Sequence, residues 1–126
     1  MREEDTSIIV IDDEDMVRIN LADFLEDEGY LVAKAASGEE GLQLVNERKF
    51  DIAIVDMRLP GIDGNTFILE AHKLQPELRY LIHTGSADYS LPEDLRSLGV
   101  SQDLVYYKPV HDMELIKNSI SLLLQR

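Results

Sequence analysis

Five short apolar runs set the terms on which this chain can fold: SIIVID (7–12), YLVAKA (30–35), DIAIVD (51–56), RYLIHT (79–84) and DLVYYK (103–108). Each gap between them leaves room for a helix. The first, third and fourth runs are nearly continuous in Ile, Val and Leu, as expected of strands covered on both faces. Between the runs lie segments with apolar residues at helical spacing: 14–28, where Met16, Val17, Leu21, Phe24 and Leu25 form one stripe; 38–48, with Leu42 and Val45; 64–74; 91–98; and 111–124. Strand and helix in alternation predict an α/β fold, a doubly wound five-stranded parallel sheet with helices on both faces. Its 126 residues fit one domain spanning 1–126, large enough to bury a core without disulfides.

The punctuation agrees with these boundaries. Gly29 ends the first helix, Ser37 with Glu40 has the spacing of a capping box for the second, and Ser90 with Glu93, with Pro92 in the first turn, has it for the fourth. Composition narrows the function. A formal net charge of -13 repels the phosphate backbone, so direct nucleic-acid binding is not expected. There is no cysteine, which removes disulfides, thiolate metal sites and cysteine nucleophiles. The opening MREEDTSIIVID has acids where a signal peptide needs bases, and no apolar run is long enough to span a membrane; a cytoplasmic protein is expected.

In an open parallel sheet the site lies beyond the carboxyl ends of the strands, where the strand order reverses. Those ends carry Asp12 and Asp13 after the first strand, Asp56 after the third, Thr84 after the fourth and Lys108 after the fifth. Three carboxylates packed together repel one another unless cations accompany them. Lys108 supplies one charge, and a hard divalent ion such as Mg²⁺, which takes oxygen ligands, would supply the rest. A carboxylate at the centre of such a cluster can act as a nucleophile toward phosphorus and form an aspartyl-phosphate. The lysine and metal would neutralise the phosphoryl oxygens while the threonine hydroxyl donates to one of them.

Taken together, VIDDED (10–15), IVDMRLPGIDG (54–64), HTGSAD (83–88) and YYKP (106–109), in this order, resemble the receiver domain of two-component response regulators. The resemblance covers essentially the whole chain. It implies a flavodoxin-like (βα)₅ fold with strand order 2-1-3-4-5, and a phosphoacceptor switch rather than an enzyme acting on other substrates. Asp56 would take a phosphoryl group from a sensor histidine kinase or a histidine phosphotransfer protein and catalyse its own phosphorylation and dephosphorylation. Asp13, Asp56 and the backbone carbonyl of Arg58 would ligate Mg²⁺, with Asp12 reaching the metal through water. Thr84 and Lys108 would engage the phosphoryl group, and the Lys108-Pro109 bond would be cis. An output domain, a protein partner or a second copy would read the state on the face of the fourth helix, fifth strand and fifth helix.

That face departs from the family pattern. The position three before the lysine, usually aromatic, is Val105, and the aromatics follow at Tyr106 and Tyr107. Side chains alternate along a strand, so Val105 and Tyr106 cannot share a face. Lys108 lies nine residues after Gly99, which predicts a longer turn into the last strand than the family commonly has. Arg58 and Ser86 occupy places that tune phosphoryl lifetime in the family. Gly85 keeps the site accessible, and Leu122, Leu123 and Leu124 exceed what one amphipathic face requires. His72, His83 and His111 lack metal-ligand spacing. Three other readings remain at this point: a phosphohydrolase with an aspartyl nucleophile, which needs a second acid where Arg58 stands; a flavodoxin-like carrier, whose flavin phosphate Asp12, Asp13, Glu14 and Asp15 would repel; and an interaction module not regulated by phosphorylation.

Overall fold

The computed structural model describes residues 6–108 and 112–125. Five strands, β1 (Ser7–Ile11), β2 (Leu31–Ala35), β3 (Ile52–Val55), β4 (Arg79–Thr84) and β5 (Val105–Tyr107), alternate with five helices, α1 (Asp15–Asp27), α2 (Gly38–Glu47), α3 (Gly64–Leu74), α4 (Glu93–Ser97) and α5 (Met113–Leu124). The strands form one sheet in the order β2-β1-β3-β4-β5, every pairing parallel. The expected order of 2-1-3-4-5 is therefore observed. No helix among the described residues is long and apolar enough to cross a membrane.

Parallel pairing buries the central strands on both sides, which is why they read as unbroken aliphatic runs. Alternate residues feed two cores. Ile9, Ile11, Ala53, Val55, Tyr80 and Ile82 meet Val45, Phe67, Ile68, Ala71 and Leu95 from α2, α3 and α4. Ile8, Val10, Ile52, Ile54 and Leu81 meet Leu21 and Leu25 from α1 and Ile116, Ile120 and Leu123 from α5. Every residue of β3 is buried, so the strand that precedes Asp56 is gripped from both faces.

The helix ends follow local chemistry. Gly29, at φ 98°, takes the left-handed turn after α1 that a side chain would resist. Ser37 caps α2 by accepting from the Glu40 N–H at 3.1 Å, and the Glu40 carboxylate reaches back to the Ala36 N–H at 2.8 Å, one residue beyond the usual capping-box partner. Asp63 caps α3, accepting from the Thr66 N–H at 2.8 Å. The box expected from Ser90 and Glu93 does not form: α4 starts on Pro92 with no side-chain cap and is five residues long. The turn into β5 is extended, as its length predicts, by a 3-10 helix (Gln102–Leu104) capped by Ser101. The last strand therefore begins at Val105 rather than 103. Helix α5 begins after Asp112, whose side chain accepts from the Glu114 N–H at 3.0 Å. The Lys108-Pro109 peptide and His111 lie outside the described residues.

The loop after β3 is closed by a backbone contact that leaves no room for a side chain. A Cβ on Gly64 would stand 2.5 Å from the Asp56 carbonyl oxygen and 2.8 Å from Met57 Cα. Both are main-chain atoms, so relief requires the segment that carries Asp56 to move. Gly64→Ala is expected to cost about 1–3 kcal/mol, the usual penalty of overpacking, in urea unfolding. A loss under about 0.5 kcal/mol, within the ordinary range for surface changes, would show that this contact does not hold the loop.

Candidate functional site

Three backbone hydrogen bonds carry the ladder just past the strand ends and fix the residues there. The Asp12 N–H donates to the Ala35 carbonyl at 3.1 Å, the Asp56 N–H to the Ile11 carbonyl at 3.0 Å, and the Lys108 N–H to the Thr84 carbonyl at 2.8 Å. Each residue is thus registered on the end of the neighbouring strand before its side chain makes any contact. The carboxylates of Asp12, Asp13 and Asp56 converge, each offering an oxygen within 4.8 Å of the others. Asp12 and Asp56 are buried at 3 % exposure, while Asp13 is exposed.

Into this cluster comes the Lys108 ammonium. It lies 2.8 Å from Asp12 Oδ2, 3.1 Å from Asp56 Oδ2 and 2.9 Å from Glu14 Oε1. The second oxygens of the two buried acids are held by main-chain donors. Asp12 Oδ1 accepts from the Glu14 N–H at 2.9 Å, and Asp56 Oδ1 from the Arg58 N–H at 3.2 Å. Arg18 braces the loop, donating to the Asp12 carbonyl at 2.9 Å and pairing with Asp15 at 2.7 Å.

Burial pushes the Asp12 and Asp56 carboxyls above the usual aspartate range. The Lys108 charge and the main-chain donors offset only part of that. Burial also pulls the Lys108 ammonium down, but its hydrogen bonds to Asp12 and Glu14 outweigh this and hold it above its ordinary value. The lysine is therefore charged at any physiological pH. His83, buried on the α1 and α5 side of β4, is pushed down to about 4 by burial and by Lys108, so it is neutral at pH 7. Its two ring nitrogens have no hydrogen-bond partner among the described residues.

Thr84 is fully buried, and its hydroxyl accepts from the Ser86 N–H at 3.2 Å, within its own loop. Of the residues expected at the site, the structure thus joins Asp12, Asp13, Asp56 and Lys108 directly and sets Thr84 beside them on β4. Beside Gly85, an added Cβ would meet only the Lys108 Cδ at 3.8 Å, which leaves the approach open. Arg58 is exposed, two residues past Asp56. The residue that sequence reasoning passed over is Glu14, read there only as one acid of a cluster. Its adjacency to Asp13 at the N-cap of α1 was the available signal.

The last strand sorts its side chains by parity. Val105 is buried in the core under α4. Tyr106 lies on the other face, where its hydroxyl donates to the Leu115 carbonyl at 3.2 Å and meets the Ser119 hydroxyl of α5. It does not take the place of Val105. Tyr107 returns to the face of Val105, and its hydroxyl donates to the Tyr89 carbonyl at 2.8 Å, tying β5 to the loop that follows Thr84.

The model of the response regulator receiver domain family matches residues 8–119. The chain is 26 % identical over 113 residues to sporulation initiation phosphotransferase F of Bacillus subtilis, covering 90 % of this chain and 89 % of that one. It is 32 % identical over 91 residues to the sensor kinase CckA of Brucella abortus, a match of 71 % of this chain that spans only 10 % of the kinase. Among solved structures, that of the response regulator TrrA from Thermotoga maritima, in complex with Mg(2+)-BeF, superposes with a TM-score of 0.79 at 28 % identity, covering 94 % of this chain and 98 % of the other.

The electrostatics give a pH dependence. A carboxyl whose folded pKa is raised binds its proton more tightly than in the unfolded chain. Its contribution is favourable below the ordinary aspartate value of 3.8 and is lost as the pH rises through the folded value. At pH 7, with divalent metal chelated, Asp56 therefore stands as a destabilising buried charge. Asp56→Asn is expected to melt higher than the parent at pH 7 and to lose that advantage near pH 4, read by thermal denaturation in EDTA. A lower melting point for Asp56→Asn at pH 7 would mean that its pairing with Lys108 outweighs its burial.

Proposed function

Because the chain belongs to the receiver domain family of two-component signalling, we propose that it is a phosphoacceptor switch in which Asp56 takes a phosphoryl group from a sensor histidine kinase or a histidine phosphotransfer protein. The observation that carries this reading is the Lys108 ammonium 3.1 Å from Asp56 Oδ2, beside two further strand-end acids. An aspartate so placed has one oxygen directed at a fixed cation, beside the exposed Asp13 and the open approach at Gly85, which suits an in-line attack on phosphorus. The residues also suit a hard divalent ion. Three carboxylates meet within 4.8 Å, all oxygen donors, with one lysine as the only opposing charge among the contacts described. In this reading Asp13, Asp56 and the Arg58 carbonyl would hold Mg²⁺, with Asp12 reaching it through water. When bound, the ion supplies neutralising charge for the phosphoryl oxygens.

The chain's own residues then divide the work. Asp56 attacks and carries the phosphoryl group, Lys108 pairs with one of its oxygens, and Thr84 turns its hydroxyl from the Ser86 N–H to another. The same groups promote hydrolysis of the aspartyl-phosphate, so the switch resets itself. We read residues 1–126 as a single cytoplasmic receiver whose output is the face of α4, β5 and α5, met by an output domain, a protein partner or a second copy. The bond from Tyr107 to the Tyr89 carbonyl supports that route, since it links the loop beyond Thr84 to β5. The names of the relatives, a phosphotransferase and a sensor kinase, fit phosphoryl traffic between histidine and aspartate, and the Mg(2+)-BeF complex of the Thermotoga protein fits the metal.

Incubated with acetyl phosphate and Mg²⁺, the intact protein is expected to gain one phosphoryl group by mass spectrometry, and to gain none in EDTA or as Asp56→Asn. A gain that survives Asp56→Asn places the acceptor elsewhere and ends the proposal. Hydrogen exchange with and without beryllofluoride is expected to change in residues 85–90 and in β5. Exchange that alters only around 12–15 and 56–58 would remove α4, β5 and α5 as the output face.

A further inference from the structure

An ammonium has three N–H donors and no more. In Lys108 all three are taken, by Asp12 at 2.8 Å, Glu14 at 2.9 Å and Asp56 at 3.1 Å. A phosphoryl group on Asp56 brings new oxygens that need this lysine, so one of the three bonds must be released first. Asp12 is a poor candidate to let go: its side chain is 4 % exposed and is also fixed by the Glu14 N–H. Asp56 is the acceptor itself. The Glu14 side chain is 59 % exposed and has no other hydrogen-bond or ion-pair partner among the described residues. It also plays no part in capping α1, whose N-cap residue it is. It can turn out into water without leaving anything buried unpaired, which neither of the other two acids can do.

From this we propose that Glu14 is a positioning residue that tethers Lys108 in the resting state and limits the rate at which Asp56 is phosphorylated. The inference rests on Asp56 being the phosphoacceptor. The reaction it slows is simple. With acetyl phosphate as donor, an Asp56 oxygen forms a bond to phosphorus, the bond between phosphorus and the acetate oxygen breaks, and acetate leaves with the electron pair. No proton is transferred, and Lys108 stays an ammonium throughout. What must change is which oxygen Lys108 faces. While Glu14 holds the third N–H, the incoming group meets a lysine already occupied.

Charge works in the same direction. Asp12, Glu14 and Asp56 share one lysine and Asp13 stands beside the two aspartates, so Glu14 is a surplus negative charge that a dianionic donor must pass. Tether and charge are separable by substitution. Glu14→Gln removes the charge and weakens the tether. Glu14→Asp keeps the charge but shortens the side chain by one methylene, enough to break a 2.9 Å contact.

The rate of phosphorylation by acetyl phosphate at saturating Mg²⁺ is to be compared in the parent, Glu14→Gln and Glu14→Asp, with thermal melts to verify equal folding. Glu14→Gln is expected to react roughly tenfold faster, the effect of losing one nearby charge and one competing bond. Glu14→Asp is expected to react several-fold faster although its charge is unchanged. If Glu14→Gln is no faster than the parent, Glu14 is not a restraint. If Glu14→Gln accelerates while Glu14→Asp matches the parent, charge alone acts and the tether is overturned. These are ratios between variants that react, so they are distinct from the failure of the phosphoacceptor reading, in which the parent itself gains no phosphoryl group.

Discussion

One ammonium ties together three parts of the chain that are far apart in sequence. Lys108 reaches Glu14 across 94 positions and Asp56 across 52, and pairs with Asp12 at the end of β1 as well. Without it, the strand-end acids would face each other in a partly buried crevice, where like charges raise each other's pKa and favour protonation. With it they are only partly compensated, since burial still lifts both Asp12 and Asp56 above their usual range. That remaining deficit of positive charge is the feature of the strand-end cluster on which the proposed metal and phosphoryl chemistry rests.

The parallel sheet is what makes such a site possible. In a doubly wound sheet every strand presents the same end to one edge, so residues that follow different strands meet without any loop having to travel. The backbone then supplies the precision. Asp12, Asp56 and Lys108 are each hydrogen-bonded through their own N–H to a neighbouring strand end, at 3.1, 3.0 and 2.8 Å. Because β1, β3 and β4, which carry most of this ladder, are buried almost throughout, the side chains start from a firm base and need few contacts of their own. The Gly64 approach to the Asp56 carbonyl closes the remaining freedom of that loop.

Much of this was legible in the residues. Continuous aliphatic runs reported strands buried on both faces, and the punctuation at Gly29 and at Ser37 with Glu40 matched real helix ends. The converging acids and Lys108 were legible because strand-end positions in a parallel sheet are neighbours by topology alone. What was not legible was anything that depended on competition between local options. Ser90 and Glu93 have the spacing of a capping box, yet α4 starts on Pro92 and is only five residues long. Residues 103 and 104 look like strand, but Ser101 caps a 3-10 turn there and delays β5 to Val105. Glu14 was hard to single out because its partner is 94 positions away, and its place beside Asp13 at the N-cap of α1 was the one local signal.

The last strand illustrates how parity, rather than residue type, decides what an aromatic can do. Tyr106 is adjacent to the position where the family carries its aromatic, and adjacency is what disqualifies it: one step along a strand is the opposite face. It is spent on α5, bonded to the Leu115 carbonyl. Two steps restore the face, and Tyr107 reaches the Tyr89 carbonyl in the loop beyond Thr84. Tyr89 in turn donates from its own hydroxyl to Asn65 of α3 at 3.1 Å, so the loop is held from both sides. Val105 fills the core beneath α4, where an aromatic ring would have had to be accommodated. A hydrogen bond at the exposed end of β5 thus ties Tyr107 to the loop after Thr84, while the core position three residues before Lys108 is filled by Val105 rather than by a ring.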